Sequence, residues 1–206
     1  MPDGNQYMIV QLHREWLVRP ETMGSKEKVW CGIGESQSVP HGQWLFKFPQ
    51  AHTGQHWAER IASKVAARLG APHATVRLAC FEGEKGSICR SFLSAGQGLI
   101  HGNELLRARI KGYDTDKKYG QSDHTLDNIW HVLEGLPWGA TESVRAKEQF
   151  AEYLVLDALV GNTDRHHENW GIVLTVKGAL GVSPLRRPSI MPPRWDESCW
   201  IRNGIG

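Results

Sequence analysis

Gly161-Asn162-Thr163-Asp164-Arg165-His166-His167-Glu168-Asn169-Trp170 is the stretch that decides how this chain is read. Asp164 precedes Asn169 by five positions, the spacing of a phosphoryl-transfer catalytic loop. The chemistry explains the spacing. One carboxylate must accept or orient the hydroxyl proton of the phosphate acceptor. A neutral amide must hold Mg²⁺ without placing a second charge beside that carboxylate. Asp164 and Asn169 suit those two tasks. The loop follows a long apolar run, Phe150 to Val160, that stops at Gly161, so a buried helix delivers a polar loop to a fixed place.

Upstream of the loop the second half of the chain reads as helical. Residues 122–134 carry Leu126, Ile129, Trp130 and Leu133 on one face, with Gly135 as a stop. Residues 141–160 read as a longer helix, apolar nearly all round toward its end and therefore buried there. Residues 95–121 read as an irregular connector with a charged, solvated patch. Trp170 to Val176 reads as a strand. The first half is mostly strands: 6–12, 27–32, 43–48 (stopped by Pro49), 74–80 and 86–92. A turn-rich connection spans Arg19 to Ser25, and a loop spans Gly32 to Gly42. One helix interrupts the strands at 55–69. Trp57, Ile61, Val65 and Leu69 recur there at four-residue spacing, and Gly70 follows as its stop.

Length and composition bound the answer. The chain has 206 residues and a formal net charge of +2. It can bury a core as one domain or two small lobes, and its charge gives no strong signal for nucleic acid or an acidic membrane. No apolar run approaches transmembrane length, and the polar N-terminus lacks a signal-peptide core. Cys31, Cys80, Cys89 and Cys199 show no CxxC spacing. Neither a disulfide framework nor a zinc site is indicated, which suits the cytoplasm.

Lys47 stands alone at the end of an apolar strand, and Glu59 lies on the next helix. Alone, the pair reads as a lysine snorkelling from an edge strand beside a solvated glutamate. With Asp164 and Asn169 downstream, the better reading is a lysine for ATP phosphates steadied by a carboxylate. The His166-His167 pair does not read as a metal cluster, because adjacent histidines do not readily share one ion and HExxH spacing is absent. His167 and Glu168 read as groups that cap or hydrogen-bond.

From about Ser25 to Val176 the chain resembles the HipA-like serine/threonine kinases. The segments that carry the resemblance are Phe46-Lys47-Phe48-Pro49, the helix Gln55 to Gly70 with Glu59, Gly86-Ser87-Ile88-Cys89-Arg90-Ser91-Phe92, and Gly161 to Trp170. The resemblance implies an α+β, protein-kinase-like two-lobed fold: residues 1–94 as the ATP-binding lobe, 95–180 as part of a helical lobe and 181–206 as an irregular tail. It implies ATP and Mg²⁺ as cofactors. Lys47 would bind phosphates, Glu59 would position it, and Arg90, Ser91 and Phe92 would lie near the adenine. Asp164 would be the catalytic aspartate, His166 its Asp-x-His-x-x-Asn companion and Asn169 the metal ligand. Gly24-Ser25-Lys26 is a weaker candidate for a phosphate-side loop. A protein substrate and an antitoxin-like partner belong to the same expectation. The Asp-Arg-His-x-x-Asn pattern also matches phosphatidylinositol kinases, which keeps a lipid acceptor as an alternative, against which the absence of a basic membrane-facing stretch counts.

The chain departs from the family after its last strand. The family's second acidic metal ligand sits in a Pro-x-x-Asp segment, where this chain offers only Asp196. Restoring one base after the Leu185 codon lets the tail read Ala-Pro-Thr-Val-Asp-His-Ala-Ala-Ser-Leu-Gly-Arg, resembling the family's Ala-Pro-x-x-Asp-His-Ala-x-Ser-Leu-Gly-Arg. The tail is therefore read as out of frame and the chain as truncated. Weak phosphoryl transfer, or a pseudokinase that binds a partner without catalysis, is the corresponding expectation.

Overall fold

Glycine and proline punctuation cuts the N-terminal part of the chain into short strands. In the computed structural model, which describes residues 8–20, 27–34, 41–50, 53–94, 96–117, 119–177 and 181–183, they assemble into one sheet. Its strands are β1 (Val10–Leu12), β2 (Leu17–Pro20), β3 (Lys28–Ile33), β4 (Gly42–Lys47), β5 (Val76–Phe81) and β6 (Glu84–Arg90). Their order is β1-β5-β6-β4-β3-β2, with β1 parallel to β5 and the other pairs antiparallel. Glu82 and Gly83 join β5 to β6, both with positive φ (50° and 87°), the backbone of the two-residue hairpin turn that matches strand twist. Alternate residues of the strands, among them Val10, Ile33, Trp44, Phe46 and Ile88, form the buried core of this unit. It ends at Phe92, where the chain passes into a second compact unit.

Helix α1 (Gln55–Leu69) connects β4 to β5 and ends at Gly70, whose φ of 74° closes the helix in the left-handed conformation. Its buried face is not the one the four-residue repeat suggests. Ala58, Glu59, Ala62, Ser63 and Ala66 are buried, whereas Trp57, Ile61 and Leu69 are about half exposed. Small side chains let α1 lie close on β5 and β6, and at that separation there is no room for the large ones.

The second unit holds α2 (Gly102–Arg109), α3 (Leu126–Glu134) and α4 (Ala140–Val160), together with the sheet β7 (Gln97–His101), β8 (Gly171–Lys177) and β9 (Gly181–Ser183) in the order β7-β8-β9, all antiparallel. Leu106, Val132, Leu133, Ala146, Phe150 and Trp170 lie in its core. The expectation of an irregular connector over 95–121 is corrected here. β7 pairs along its whole length with β8, and α2 follows it directly. The polar character of that stretch hid an element whose buried face is only Gly102, Leu105 and Leu106. The end of α4 is also corrected. Tyr153, Leu156, Asp157 and Val160 are buried, but Val155 and Leu159 are 65% and 62% exposed, so one face meets the core and the opposite face does not.

No helix among the described residues is long and apolar enough to cross a membrane. Gly24-Ser25-Lys26, Asp196 and the tail from Leu185 lie outside the described residues.

Candidate active site

In the first unit, strand register and helix phase bring three side chains together. Lys47, at the end of β4, pairs across the ladder with Ser87 on β6. Glu59 projects from the buried face of α1. Its Oε1 accepts from Lys47 Nζ at 2.8 Å, and its Oε2 accepts from the Ser87 hydroxyl at 2.6 Å. Both carboxylate oxygens are thus engaged, and all three side chains are largely buried. A charged pair in so dry a place needs this full set of partners. Gly86 makes the arrangement possible: a Cβ there would stand 2.4 Å from the Lys47 carbonyl oxygen and 2.6 Å from the Phe46 ring. Ser87 was not singled out in the sequence as a partner of Glu59. Its polar side chain beside Ile88 in β6 was the available signal.

Arg90, Ser91 and Phe92 do not join this cluster. Arg90 pairs with Trp44, three residues along β6 from Ser87 and therefore about 10 Å away. It is exposed, while Ser91 donates its backbone N–H to Gln43 O at 2.9 Å. The three residues mark the exit of the chain from the first unit.

In the second unit, α4 stops at Gly161, whose φ of 70° turns the chain away from the helix. The last turn leaves Asp157 buried beneath the loop. Its carboxylate accepts from Arg165 Nε at 2.5 Å, Arg165 Nη2 at 2.7 Å and Asn162 Nδ2 at 2.7 Å. Arg165 in turn donates Nη1 to Asn169 O at 3.0 Å and lies over the Tyr153 ring. A bidentate, buried guanidinium–carboxylate pair is a rigid brace, and here it spans the loop from below.

The brace places Asp164, His166 and Asn169 together. Asn169 donates Nδ2 to Asp164 O at 2.6 Å and lies 3.4 Å from Asp164 Oδ2. With the amide nitrogen so engaged, Oδ1 of Asn169 is the atom suited to ligation. His166 Nδ1 accepts from the Glu168 N–H at 3.2 Å, and its Nε2 lies 4.0 Å from Asp164 Oδ2, beyond bonding distance. Asp164 and Asn169 are 8% and 7% exposed, so the loop offers a nearly dry pair of oxygen donors.

Three residues at the start of α2 hold the loop from another side. His101 Nδ1 donates to Glu168 O at 3.1 Å, Gly102 N to Trp170 O at 2.8 Å and Asn103 N to His167 O at 2.9 Å. The first N–H groups of a helix lack partners within it, and here they are spent on the loop's carbonyls. Gly102 is required by the close approach, since a Cβ would meet the Trp170 ring at 2.2 Å and His167 O at 2.6 Å. Tyr113 donates its hydroxyl to His167 Nδ1 at 2.8 Å; burial, and then Asp123, push the phenol up to about 12. Trp170 Nε1 donates to His124 Nε2 at 3.1 Å. Burial first, then His167, His166 and Arg165, push the His124 ring down to about 4, which keeps it neutral and able to accept. His101, Tyr113, His124 and Asp157 escaped the sequence reading because they act on the loop from distant positions.

Known proteins share this arrangement of elements. The sequence is similar to Y4dM of Sinorhizobium fredii, named as a candidate kinase, at 25% identity over 153 residues, covering 69% of this chain and 36% of that protein. The fold is similar to that of the Helicobacter pylori proinflammatory kinase CtkA, with a TM-score of 0.63 at 20% identity, over 81% of this chain and 52% of that one. It is also similar to HipA of Shewanella oneidensis MR-1, solved with HipB and operator DNA, with a TM-score of 0.54 at 18% identity, over 85% and 43% of the two chains. The chain spans about a third to a half of the length of these relatives. The fold is thus α+β and kinase-like, and the family model of the HipA-like C-terminal domain matches residues 21–185. On that match, this chain belongs to the HipA-like kinase family.

Proposed function

We propose that the chain carries the ATP-handling and catalytic residues of a HipA-like kinase whose acceptor is a protein serine or threonine. The observation that carries the reading is the locked pair Asp164–Asn169, with the Asn169 amide nitrogen on Asp164 O. Asn169 Oδ1 fits Mg²⁺ as a hard, neutral oxygen ligand, which leaves the neighbouring Asp164 carboxylate to the acceptor's proton. Lys47, steadied by Glu59 and Ser87, fits the phosphates of ATP. When bound, Mg²⁺ supplies neutralisation of phosphate charge. The rest of the work falls to side chains. Lys47 holds phosphate, Asp164 receives or orients the acceptor's hydroxyl proton, Asn169 supplies a neutral ligand, and His166 lines the carboxylate. Arg90, Ser91 and Phe92 would lie near the adenine. An antitoxin-like partner belongs to the same proposal, by similarity to a HipA that assembles with HipB.

A second reading, binding of Mg·ATP or a partner without transfer, is favoured by one observation. Among the described residues, no group of three histidine, cysteine or acidic side chains is placed to hold a metal ion. On this reading transfer by the chain is weak or absent. The test measures Mg·ATP binding and transfer from γ-labelled ATP, with mixed protein and phosphoinositide acceptors offered side by side. Label on protein Ser/Thr that is lost in Asp164→Asn, with ATP binding retained, supports the first reading. Binding with no transfer selects the second. Label on the lipid, or transfer that survives Asp164→Asn, overturns the assignment.

A further inference from the structure

The four-residue repeat on α1 that the core does not use lines a groove. Ile61, Val65 and Leu69 run along one side of the helix, and Met8 and Leu78 complete an apolar floor in a cavity of about 670 Å³. That volume lies within the range of ligand and peptide pockets. Ile61, Leu69 and Met8 remain 51%, 55% and 55% exposed, large apolar side chains left in water beside one another.

The wall of the groove is cationic. Arg60, Lys64 and Arg68 form a second row on α1, one position before the apolar row, and Arg77 faces them from β5. Among the described residues no acidic side chain lines the groove, and no ion pair joins Lys64 or Arg68 to a carboxylate. Burial first, then the neighbouring cations Arg60, Arg77 and Arg68, lowers the Lys64 pKa from its ordinary value. Like charges at four-residue spacing on one helix are mutually destabilising, so an anionic occupant would relieve them.

We propose that this groove docks an acidic amphipathic helix from a partner protein. Charge complementarity selects the sign of the partner, and the apolar floor selects a side chain carrier over a free phosphate. A nucleic acid would seek aromatic platforms for its bases, and none lines the groove among the described residues. From Arg60 to Leu69 the rows extend about 14 Å at 1.5 Å per residue, a length served by a helix with apolar anchors at i, i+4 and i+7. A second copy of this chain would bring the same cations to a symmetric contact and be repelled. The proposal does not depend on the kinase reading, since the groove lies wholly in the first unit and the test reads binding.

The experiment uses the full chain and a fluorescein-labelled helical peptide of about 14 residues, with leucines at the i, i+4 and i+7 positions and glutamates flanking them. Anisotropy should saturate with a Kd of about 1–100 μM, and should weaken as salt rises through screening. Lys64→Glu with Arg68→Glu, and separately Ile61→Ser, should each weaken binding at least tenfold. Arg19→Glu, on the far edge strand β2, should leave it unchanged. A peptide of the same composition with its leucines scattered around the helix should bind at least tenfold more weakly to the wild-type chain, an arm that stands even if a variant fails to fold. The proposal is overturned by equal binding of wild type and the charge-reversed variant, by equal binding of the scattered peptide, by no saturation up to 1 mM, or by a wild-type dimer in sedimentation that Ile61→Ser dissolves.

Discussion

Asp157→Ala is the perturbation whose cost the structure specifies most fully. The substitution deletes a carboxylate that is 6% exposed in its side chain and accepts three hydrogen bonds, two from Arg165 and one from Asn162. The Arg165 guanidinium, 8% exposed, stays behind without its counter-charge. Leaving one member of a buried ion pair unpaired costs about 3–5 kcal/mol, and the orphaned Asn162 amide adds about 1 kcal/mol. Arg165 then retains Asn169 O and the Tyr153 face, which cannot replace a charge. Removing both partners, in Asp157→Ala with Arg165→Leu, eliminates the stranded cation, and the loss should fall to about 1–2 kcal/mol. Because each single variant strands a buried charge and the double variant strands none, the coupling from a double-mutant cycle should reach about 5 kcal/mol or more. Urea unfolding followed by circular dichroism gives each corner of the cycle, and Mg·ATP binding reports whether the loop survives. An Asp157→Ala variant within 1 kcal/mol of wild type, or single effects that simply add, would refute the brace.

Three further outcomes are expected. Gly102→Ala forces a methyl into the Trp170 ring and His167 O. Overpacking and the two displaced backbone bonds together should cost about 3 kcal/mol or more, against which the helix propensity gain of about 1 kcal/mol is small; thermal melts decide, and an unchanged midpoint refutes it. Lowering the pH should destabilise the second unit through His124. Its folded value of about 4 lies below the ordinary 6.5, so the stability it contributes is complete above about pH 6.5 and is lost as pH falls through 4. The loss is about 1–3 kcal/mol after allowing for partial exposure. His124→Asn should flatten that slope, and parallel slopes for the two proteins would count against it. Finally, Ser87→Ala removes a donor from Glu59 and should weaken ATP binding several-fold while Lys47→Met weakens it at least tenfold, by titration with Mg·ATP; equal binding by all three proteins breaks the link between the cluster and ATP.

The residues proposed to carry chemistry stand out in the sequence because their types and order are demanding. Lys47, Glu59, Asp164 and Asn169 stand out as polar groups at fixed places in apolar surroundings, and α1 was legible to its last residue because Gly70 stops it. What holds those groups was not legible. The phase of α1 misled because its large residues look like a core stripe, while its alanines, which carry weak individual signals, do the packing. The segment 95–121 misled because β7 is half-buried on every residue and shows no alternation. Its meaning comes from β8, more than sixty positions later in the chain, and no local pattern can report a pairing of that range.

The clamp from His101, Gly102 and Asn103 also decides how portable the loop is. A designer who moved only Gly161 to Trp170 into another scaffold would carry the aspartate and the asparagine but abandon the donors for the carbonyls of His167, Glu168 and Trp170. Those carbonyls would turn to water, and the asparagine between them would lose its fixed aim. The transferable unit is a discontinuous one: a helix start, the foot of α4 and the loop. Evolution must copy all three together or none.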